Sequence, residues 1–266
     1  MVAATASGGG VLEGQRVLVT GATSGIGRAT ALACVRAGAV VAGVGRRRER
    51  LDELSSDHGI HPVEGDVADM SAARGMVGRA VEALGGLDVL MNSAGIARPA
   101  LIADADPQDW RAMVDVNVLG LLAVTQASIP HLLAAGPGAS IVNISSMSGR
   151  RVPAATGGTY AATKFAVHAI TESLRQELQP QGIRVTTIAP GFVATEIFDR
   201  MDDTPLGEHY RRQVRTVGIT PEDVASAIVH ALAAPASVTT VEIAMVPTSQ
   251  DDARYSGGDD EEEEAD

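Results

Sequence analysis

The chain has 266 residues and a formal net charge of −12, with 21 basic and 33 acidic side chains. Its length suits one α/β domain, which often runs to ~200–250 residues, and 45% hydrophobic residues exclude disorder for most of it. Residues 259–266 hold seven acids and no base, which leaves −5 on the remainder, and an acidic body argues against a nucleic-acid partner.

A single cysteine, Cys34, precludes an internal disulfide and fits a reducing compartment. Residues 1–10 show neither the basic start nor the apolar run of a signal peptide. No uninterrupted apolar run reaches the ~18 residues of a membrane span. A cytoplasmic protein with no membrane partner is expected. Twenty of the 21 basic residues are Arg, and the lone Lys is Lys164.

Taken in order, residues 1–12 read as a flexible leader, 13–247 as one domain, and 248–266 as an acidic disordered tail whose charges repel one another. The predicted strands are Arg16–Thr20, Val40–Val44, His61–Glu64, Leu87–Met91, Ser140–Ile144, Arg184–Ile188 and Val241–Met245. Their near-continuous apolar character belongs to strands covered on both faces, as in a parallel sheet. Helices are predicted at about 25–37, 47–56, 69–84, 107–135, 159–179 and 221–233. Asp106-Pro107 and Thr220-Pro221 each give an N-cap followed by a first-turn proline, and Gly38, Gly85 and Gly182 stand where helices should stop. The alternation predicts a single doubly wound, Rossmann-type α/β domain. Its central parallel sheet of about seven strands is flanked by helices and takes ligands at the carboxyl ends of the strands.

The first strand runs into Thr20-Gly21-Ala22-Thr23-Ser24-Gly25-Ile26-Gly27 and then into helical sequence. Glycines at such a junction let a pyrophosphate approach the backbone, and the helix N-terminus favours its charge. The turn alone would serve tight geometry equally well; the strand before it and the helix after it point to phosphate.

Five stretches in order carry a resemblance to the short-chain dehydrogenase/reductase family over roughly residues 13–247. Thr20–Gly27 matches its TGxxxGxG, Asp66-Val67 its adenine-side acid, and Asn92-Ser93-Ala94-Gly95 its NNAG with one Asn replaced. Tyr160–Lys164 matches its YxxxK, and Pro190-Gly191 with Thr195 its PGxxxT. The resemblance implies a nicotinamide dinucleotide held by Gly21, Thr23, Ser24, Gly25, Ile26, Gly27, Asp66, Val67, Asn92, Ala94, Gly95, Tyr160, Lys164, Pro190, Gly191, Val193 and Thr195. The stretch from Ala234-Pro235 to Pro247-Thr248 is similar to the branch holding clavulanate-aldehyde reductases and NADP-dependent 3-hydroxy-acid dehydrogenases.

At the end of the second strand an acid would bind the 2′-OH of NAD, and Arg the 2′-phosphate of NADP. Gly45 occupies the position where NAD-preferring relatives carry Asp, and Arg46, Arg47, Arg48 and Arg50 follow. A solvated helix start is the other reading of this cluster, but cations there oppose the helix dipole. A phosphate dianion removes that conflict, so NADP(H), bound by Arg46 and Arg47, is the expected cofactor.

Tyr160 and Lys164 are spaced to share a helix face. An unperturbed phenol has a pKa of ~10, too high for efficient proton exchange at neutral pH, and a nearby ammonium should lower it. A surface Tyr and Lys would have the same spacing; that the chain holds one Lys in all favours the functional reading. After the fifth strand, Ser146 is the expected hydroxyl donor to a substrate carbonyl, with Ser145 and Ser148 as fallbacks. In most relatives that serine lies 13 residues before the tyrosine, a position held here by Met147. Ser146 lies 14 before, which implies one extra residue in the loop 150–158. Asn117 matches the helix Asn that in relatives holds a proton-relay water, though a mid-helix Asn can simply bond locally.

These residues predict reduction of a carbonyl by NADPH, or the reverse oxidation of an alcohol. The substrate is a small oxygenated aldehyde or ketone, acidic ones included, in secondary metabolism among other settings. Its selection falls to 97–102, 149–158 and 192–216, where Arg98, Arg150, Arg151, Arg211, Arg212 and Arg215 either meet a carboxylate or face water. Non-redox chemistry on the same fold (cyclisation, dehydration, epimerisation) and a non-catalytic NADP sensor remain alternatives. The six histidines show no metal-like pairing. Helices 107–135 and 159–179 are apolar nearly all round, which predicts a homotetramer or homodimer.

Overall fold

The computed structural model describes residues 10–199 and 205–249; residues 1–9 of the expected leader and 250–266 of the expected tail lie outside the described residues. Seven strands form one all-parallel sheet in the order β3-β2-β1-β4-β5-β6-β7. They are β1 Arg16–Thr20, β2 Val40–Gly45, β3 His61–Glu64, β4 Val89–Asn92, β5 Ser140–Ile144, β6 Arg184–Pro190 and β7 Glu242–Met245. Helices α1 Gly25–Arg36, α2 Arg48–His58, α3 Ala73–Leu84, α4 Pro107–Val114, α5 Leu121–Ala135, α6 Gly158–Leu178, α7 Pro205–Val217 and α8 Pro221–Leu232 connect them. The predicted doubly wound fold is the one observed. Two apolar cores lie on the sheet's two faces, one beneath α3, α5 and α6, the other beneath α1 and α8. Between β1 and β4 the strand order reverses, and the crossovers diverge to leave a crevice at the strands' carboxyl ends.

Polar groups set several boundaries that periodicity misplaces. β4 starts at Val89, because the Asp88 carboxylate is taken by the Arg16 backbone N and guanidinium at 2.7–2.8 Å. α3 starts at Ala73 instead of 69, because the Asp69 carboxylate caps a separate turn through Ser71 N, Ser71 Oγ and Ala72 N. Helix α7 lies inside a stretch read only as variable. Leu12, given above to the leader, is fully buried, and its backbone N donates to Ala37 O at 2.9 Å, so the fold begins earlier than expected.

The stretch 107–135 is not one α-helix: α4 and α5 are joined by a π-helical turn, Asp115–Gly120. Its 29 residues are long and apolar enough to cross a membrane by composition, yet Met113, Val116, Leu121, Val124 and Leu132 are buried in the domain. It is a core helix. Where β4 meets β5, Asn92 pairs in register with Asn143 and donates from Nδ2 to Asn143 Oδ1 and Thr125 Oγ1, both at 2.9 Å. Asn143 Nδ2 donates in turn to Thr171 Oγ1 at 3.0 Å. This buried polar chain ties β4, β5, α5 and α6 together beneath the crevice.

Candidate active site

A cleft of roughly 430 Å³ runs across the carboxyl ends of β1, β2, β4, β5 and β6. Gly21, Thr23, Ser24, Gly25, Ile26, Gly27, Arg46, Arg47, Asp66, Val67, Ala94, Gly95, Ser146, Tyr160, Lys164, Pro190, Gly191, Val193 and Thr195, expected as site residues, all line it. Asn92 and Asn117 do not line it.

One end is built for anions. Gly21 has φ +69°, and a Cβ there would lie 2.9 Å from the Ala94 backbone, so only glycine admits the turn and the close packing of β4's loop. Thr20 Oγ1 secures that loop by accepting from Ser93 N and Ala94 N at 3.1 and 3.2 Å. Helix α1 then begins with no side-chain cap and no acid in its first turn, which leaves its leading N–H groups directed into the cleft. Beside it, Arg47 donates to Thr23 Oγ1 and Ser24 Oγ at 2.9 and 2.7 Å, and to Glu196 at 3.0 Å. Arg50 also binds Glu196, at 2.8 Å, and these arginines hold that carboxyl below its ordinary range against the opposing effect of burial. Arg46 lies in a 3.4 Å ion pair with Asp66, and both side chains are more than a third exposed. A Cβ on Gly45 would approach Thr23 Cγ2 to 2.5 Å, so an acid at this corner would displace Thr23. Glycine cradle, uncapped helix and guanidinium corner fit a dinucleotide bearing an additional phosphate.

At the other end stand Tyr160, Lys164 and Ser146. Ser146 caps a short 3₁₀ turn, Met147–Gly149, its Oγ accepting from Ser148 N at 3.0 Å, and its hydroxyl acts on the Tyr160 phenol against the effect of burial. Ser145 is spent elsewhere, with its Oγ buried against Lys164 O at 3.0 Å and His168 Nδ1 at 2.7 Å. Both serines line the cleft, but the Ser145 hydroxyl is committed to Lys164 O and His168, which leaves Ser146 as the one beside Tyr160. Lys164 is 4% exposed, and its Nζ lies 5.8 Å from the Tyr160 ring centroid and donates to Ile144 O at 2.9 Å.

The expected lowering of the phenol pKa by Lys164 is not found in the chain alone. Burial pushes Tyr160 up to about 12, and the Ser146 hydroxyl opposes this only in part. Burial likewise brings Lys164 down to about 8. Desolvation disfavours both charged forms and outweighs their mutual attraction.

Two expected site residues lie outside the cleft lining. Asn92 lies one layer below the cleft, its amide committed to Asn143 and Thr125, so it supports the sheet. Asn117 sits in the π turn with its side chain engaged: Oδ1 accepts from Ile96 N at 2.9 Å, while Nδ2 donates to Ile96 O at 2.9 Å and Thr163 Oγ1 at 3.1 Å. The wider turn lets a helix side chain clasp the loop after β4.

The wall nearest Tyr160 comes from the stretch 192–216, to which the sequence assigns substrate selection, through residues not singled out within it. Phe192, Phe198, Tyr210 and Val214 line it, with the Phe198 and Tyr210 rings stacked at 4.9 Å and Tyr210 Oη 3.0 Å from Thr156 Oγ1. The signal was present in the sequence: Leu206, Tyr210, Val214 and Val217 recur at helical spacing after Pro205. Of the flagged arginines, Arg98 and Arg151 line the cleft; Arg150, Arg211, Arg212 and Arg215 do not.

Comparison with known proteins matches residues 15–206 to the family described as short chain dehydrogenase. A glycine betaine reductase of Emericella nidulans is 38% identical over 246 residues, 91% of this chain but 19% of that protein, so the chain spans about a fifth of its length. Sulfoacetaldehyde reductase 2 of Chromohalobacter salexigens is 38% identical over 242 residues, covering 88% of this chain and 94% of its own. Among solved structures, the closed form of a serine dehydrogenase complexed with NADP+ superposes with TM-score 0.82 at 34% identity, covering 88% of this chain and 96% of that one. A short chain dehydrogenase from Burkholderia cenocepacia in complex with NADP gives 0.78 at 32% identity, covering 89% and 98%.

The Lys164 shift has a stability consequence. Between the folded value of about 8 and the ordinary 10.5, the unfolded chain binds more protons, so stability should rise with pH across that window and level off outside it. Lys164→Met abolishes this titration. Melting curves of the ligand-free proteins should show wild type gaining on the variant from pH 8 to 10.5, by up to about 3 kcal/mol, with a constant difference below pH 8. A pH-independent difference would contradict the assignment.

Proposed function

The chain belongs to the short-chain dehydrogenase family, and from that premise we propose that it is a cytoplasmic NADPH-dependent reductase of a small oxygenated aldehyde or ketone. It is an NADP-dependent oxidoreductase. The observation that carries the finer reading is that Ser146, Tyr160 and buried Lys164 line one end of a cleft whose other end gathers anion donors.

Bound in the cleft, NADPH supplies a hydride to the carbonyl carbon. Tyr160 Oη gives its proton to the carbonyl oxygen as negative charge builds there, and the Ser146 hydroxyl donates a second hydrogen bond to the same atom. A phenol with a pKa near 12 is wholly protonated at neutral pH, so the acid is ready, and surrendering its proton is the harder step. Lys164, mostly charged at pH 7 even with its pKa near 8, stabilises the phenolate left behind. Asn117 acts through position, keeping the Ile96 loop and Thr163 in place around Lys164. Met147, at the usual position of the hydroxyl, is turned into the 3₁₀ segment that Ser146 caps, which supports Ser146 in the role despite its longer spacing. Arg46 and Arg47 bind the 2′-phosphate, and the crowded Gly45 corner disfavours the acid that NAD would call for.

Small polar substrates also appear in the names of the sulfoacetaldehyde reductase and the serine dehydrogenase. On the helical face away from the sheet, Val114 and Leu122 are each 39% exposed and Phe165 43%. An apolar patch on these helices favours burial against a second subunit, as a homodimer or homotetramer.

Three outcomes are expected. NADPH oxidation with a panel of aldehydes and ketones should show turnover that Tyr160→Phe reduces at least about 100-fold, the scale of a lost general acid; tight NADPH binding with no turnover on any carbonyl would favour a sensor or non-redox chemistry. Arg46→Ala should weaken NADPH binding in a fluorescence titration by roughly 10–100-fold, the scale of a lost charge-assisted bond, and leave NADH nearly unchanged. Light scattering at micromolar concentration should report a dimer or tetramer, and a monodisperse monomer would contradict the patch assignment.

A further inference from the structure

Tyr160, Lys164 and His168 follow one another at intervals of four along one face of α6, and the reaction assigned above uses the first two. His168 has its own chain of contacts, directed away from the cleft. Its Nδ1 lies 2.7 Å from Ser145 Oγ and 3.1 Å from Lys164 O, and its Nε2 lies 3.3 Å from Glu242 Oε1 on β7. Ser145 Oγ is in turn 3.0 Å from Lys164 O. The Glu242 carboxylate is also 3.6 Å from Arg150 Nε, just beyond the turn that Ser146 opens. Gly149, in that turn, packs so tightly here that a Cβ would approach His168 Nδ1, Lys164 O and Ser145 Oγ to 2.4, 2.7 and 2.7 Å.

We propose that His168, oriented by Glu242, is a positioning residue that sets Ser146 and Lys164 relative to each other. The chemistry follows from the contacts. Ser145 Oγ donates its one proton to Lys164 O and accepts from His168 Nδ1, while Nε2 faces the Glu242 carboxylate. Ser145 is bonded directly to Ser146, so the imidazole fixes the strand end from which Ser146 projects. The same imidazole is rooted one turn beyond Lys164 and closes on that residue's carbonyl. Ser145 is 2% exposed with its hydroxyl proton given to Lys164 O, so the Ser-His-Glu sequence is not a hydrolytic triad. The arrangement also ties β7 to the reacting groups, although no atom of β7 lines the cleft.

The inference rests on the reductase reading, and the test separates the two. With a substrate identified from the carbonyl panel, His168→Leu should lower kcat about 10-fold, the scale of one lost buried hydrogen bond, while the KM for NADPH stays within about 2-fold. His168→Asn, whose amide can occupy the Nδ1 position, should recover most of that loss. Ser145→Ala should match His168→Leu, and the double variant should be no slower than either single one, because both break the same link. Hydrogen–deuterium exchange of the ligand-free protein gives a readout independent of turnover: His168→Leu should speed exchange across 145–150, and His168→Asn should not. Unchanged kcat in His168→Leu, multiplicative losses in the double variant, or failure of Asn to rescue would each overturn the proposal. If wild type reduces no carbonyl, the reductase reading fails, and the exchange data alone decide whether His168 holds this loop. If His168→Leu does not fold, His168→Asn and Glu242→Gln carry the comparison, with Glu242→Gln expected to keep kcat within about 3-fold because its amide still offers an acceptor.

Discussion

Lys164 carries an ammonium into a position that is 4% exposed, where loss of hydration lowers its pKa to about 8. A charge placed there is costly unless the surrounding groups are held for it, since a dipole that must reorient cannot offset the lost water. Those groups come from several elements. The Ile144 carbonyl at the end of β5 accepts from Nζ, Thr163 beside it is bonded to Asn117 from the π turn, and Asn117 clasps the Ile96 loop after β4. The chain's one lysine is thus held by parts distant in sequence, and a planar guanidinium would have to displace them.

The same strand ends that hold Lys164 also carry the opposite requirement. At the β1–β2 side of the crevice the backbone supplies donors and the side chains are small, with Gly21 and Gly45 packed too closely for a Cβ. At the β5–β6 side aromatic and apolar walls stand around the Ser146 and Tyr160 hydroxyls and the buried amine, with Arg151 and Asp199 also on the lining. Between these ends, Glu196 in the loop after β6 is bound by Arg47 and Arg50 from the other edge, so loops from distant strands meet across the cleft. A charged ligand at one end and a nearly dry reaction centre at the other are compatible because the parallel sheet directs all seven carboxyl ends the same way.

Much of this was readable from the residues. Buried parallel strands are apolar throughout, and five of the seven, β1, β2, β3, β5 and β7, were placed to within one residue. The glycine loop, the Arg46–Arg47 corner and the Tyr160–Lys164 pair line one cleft because each follows a strand end. Elements bounded by polar side chains were less legible: the Asp69 turn that delays α3 and the Asp88–Arg16 pairing that delays β4 depend on local hydrogen bonds that leave hydrophobic periodicity unchanged. Helix α7 carried a helical signal that its many charged residues obscured. The placement of the two asparagines was not legible, for a physical reason. Motif position says which strand end a residue occupies, but whether its amide turns into the cleft or beneath it depends on partners such as Thr125, Asn143 and Thr163, tens of residues away.

By itself the sequence determined the doubly wound fold and the strand ends whose loops line the cleft. Apolar periodicity, glycine tolerance and charge type are properties of each residue and its near neighbours. Tertiary structure alone decided where the Ser145 hydroxyl is committed, how far burial moves the Tyr160 and Lys164 pKa values, and that Glu242 on β7 meets His168. Desolvation and hydrogen-bond pairing are set by whatever packs against a group. In this chain those partners come from strands and helices that meet only once the sheet has formed.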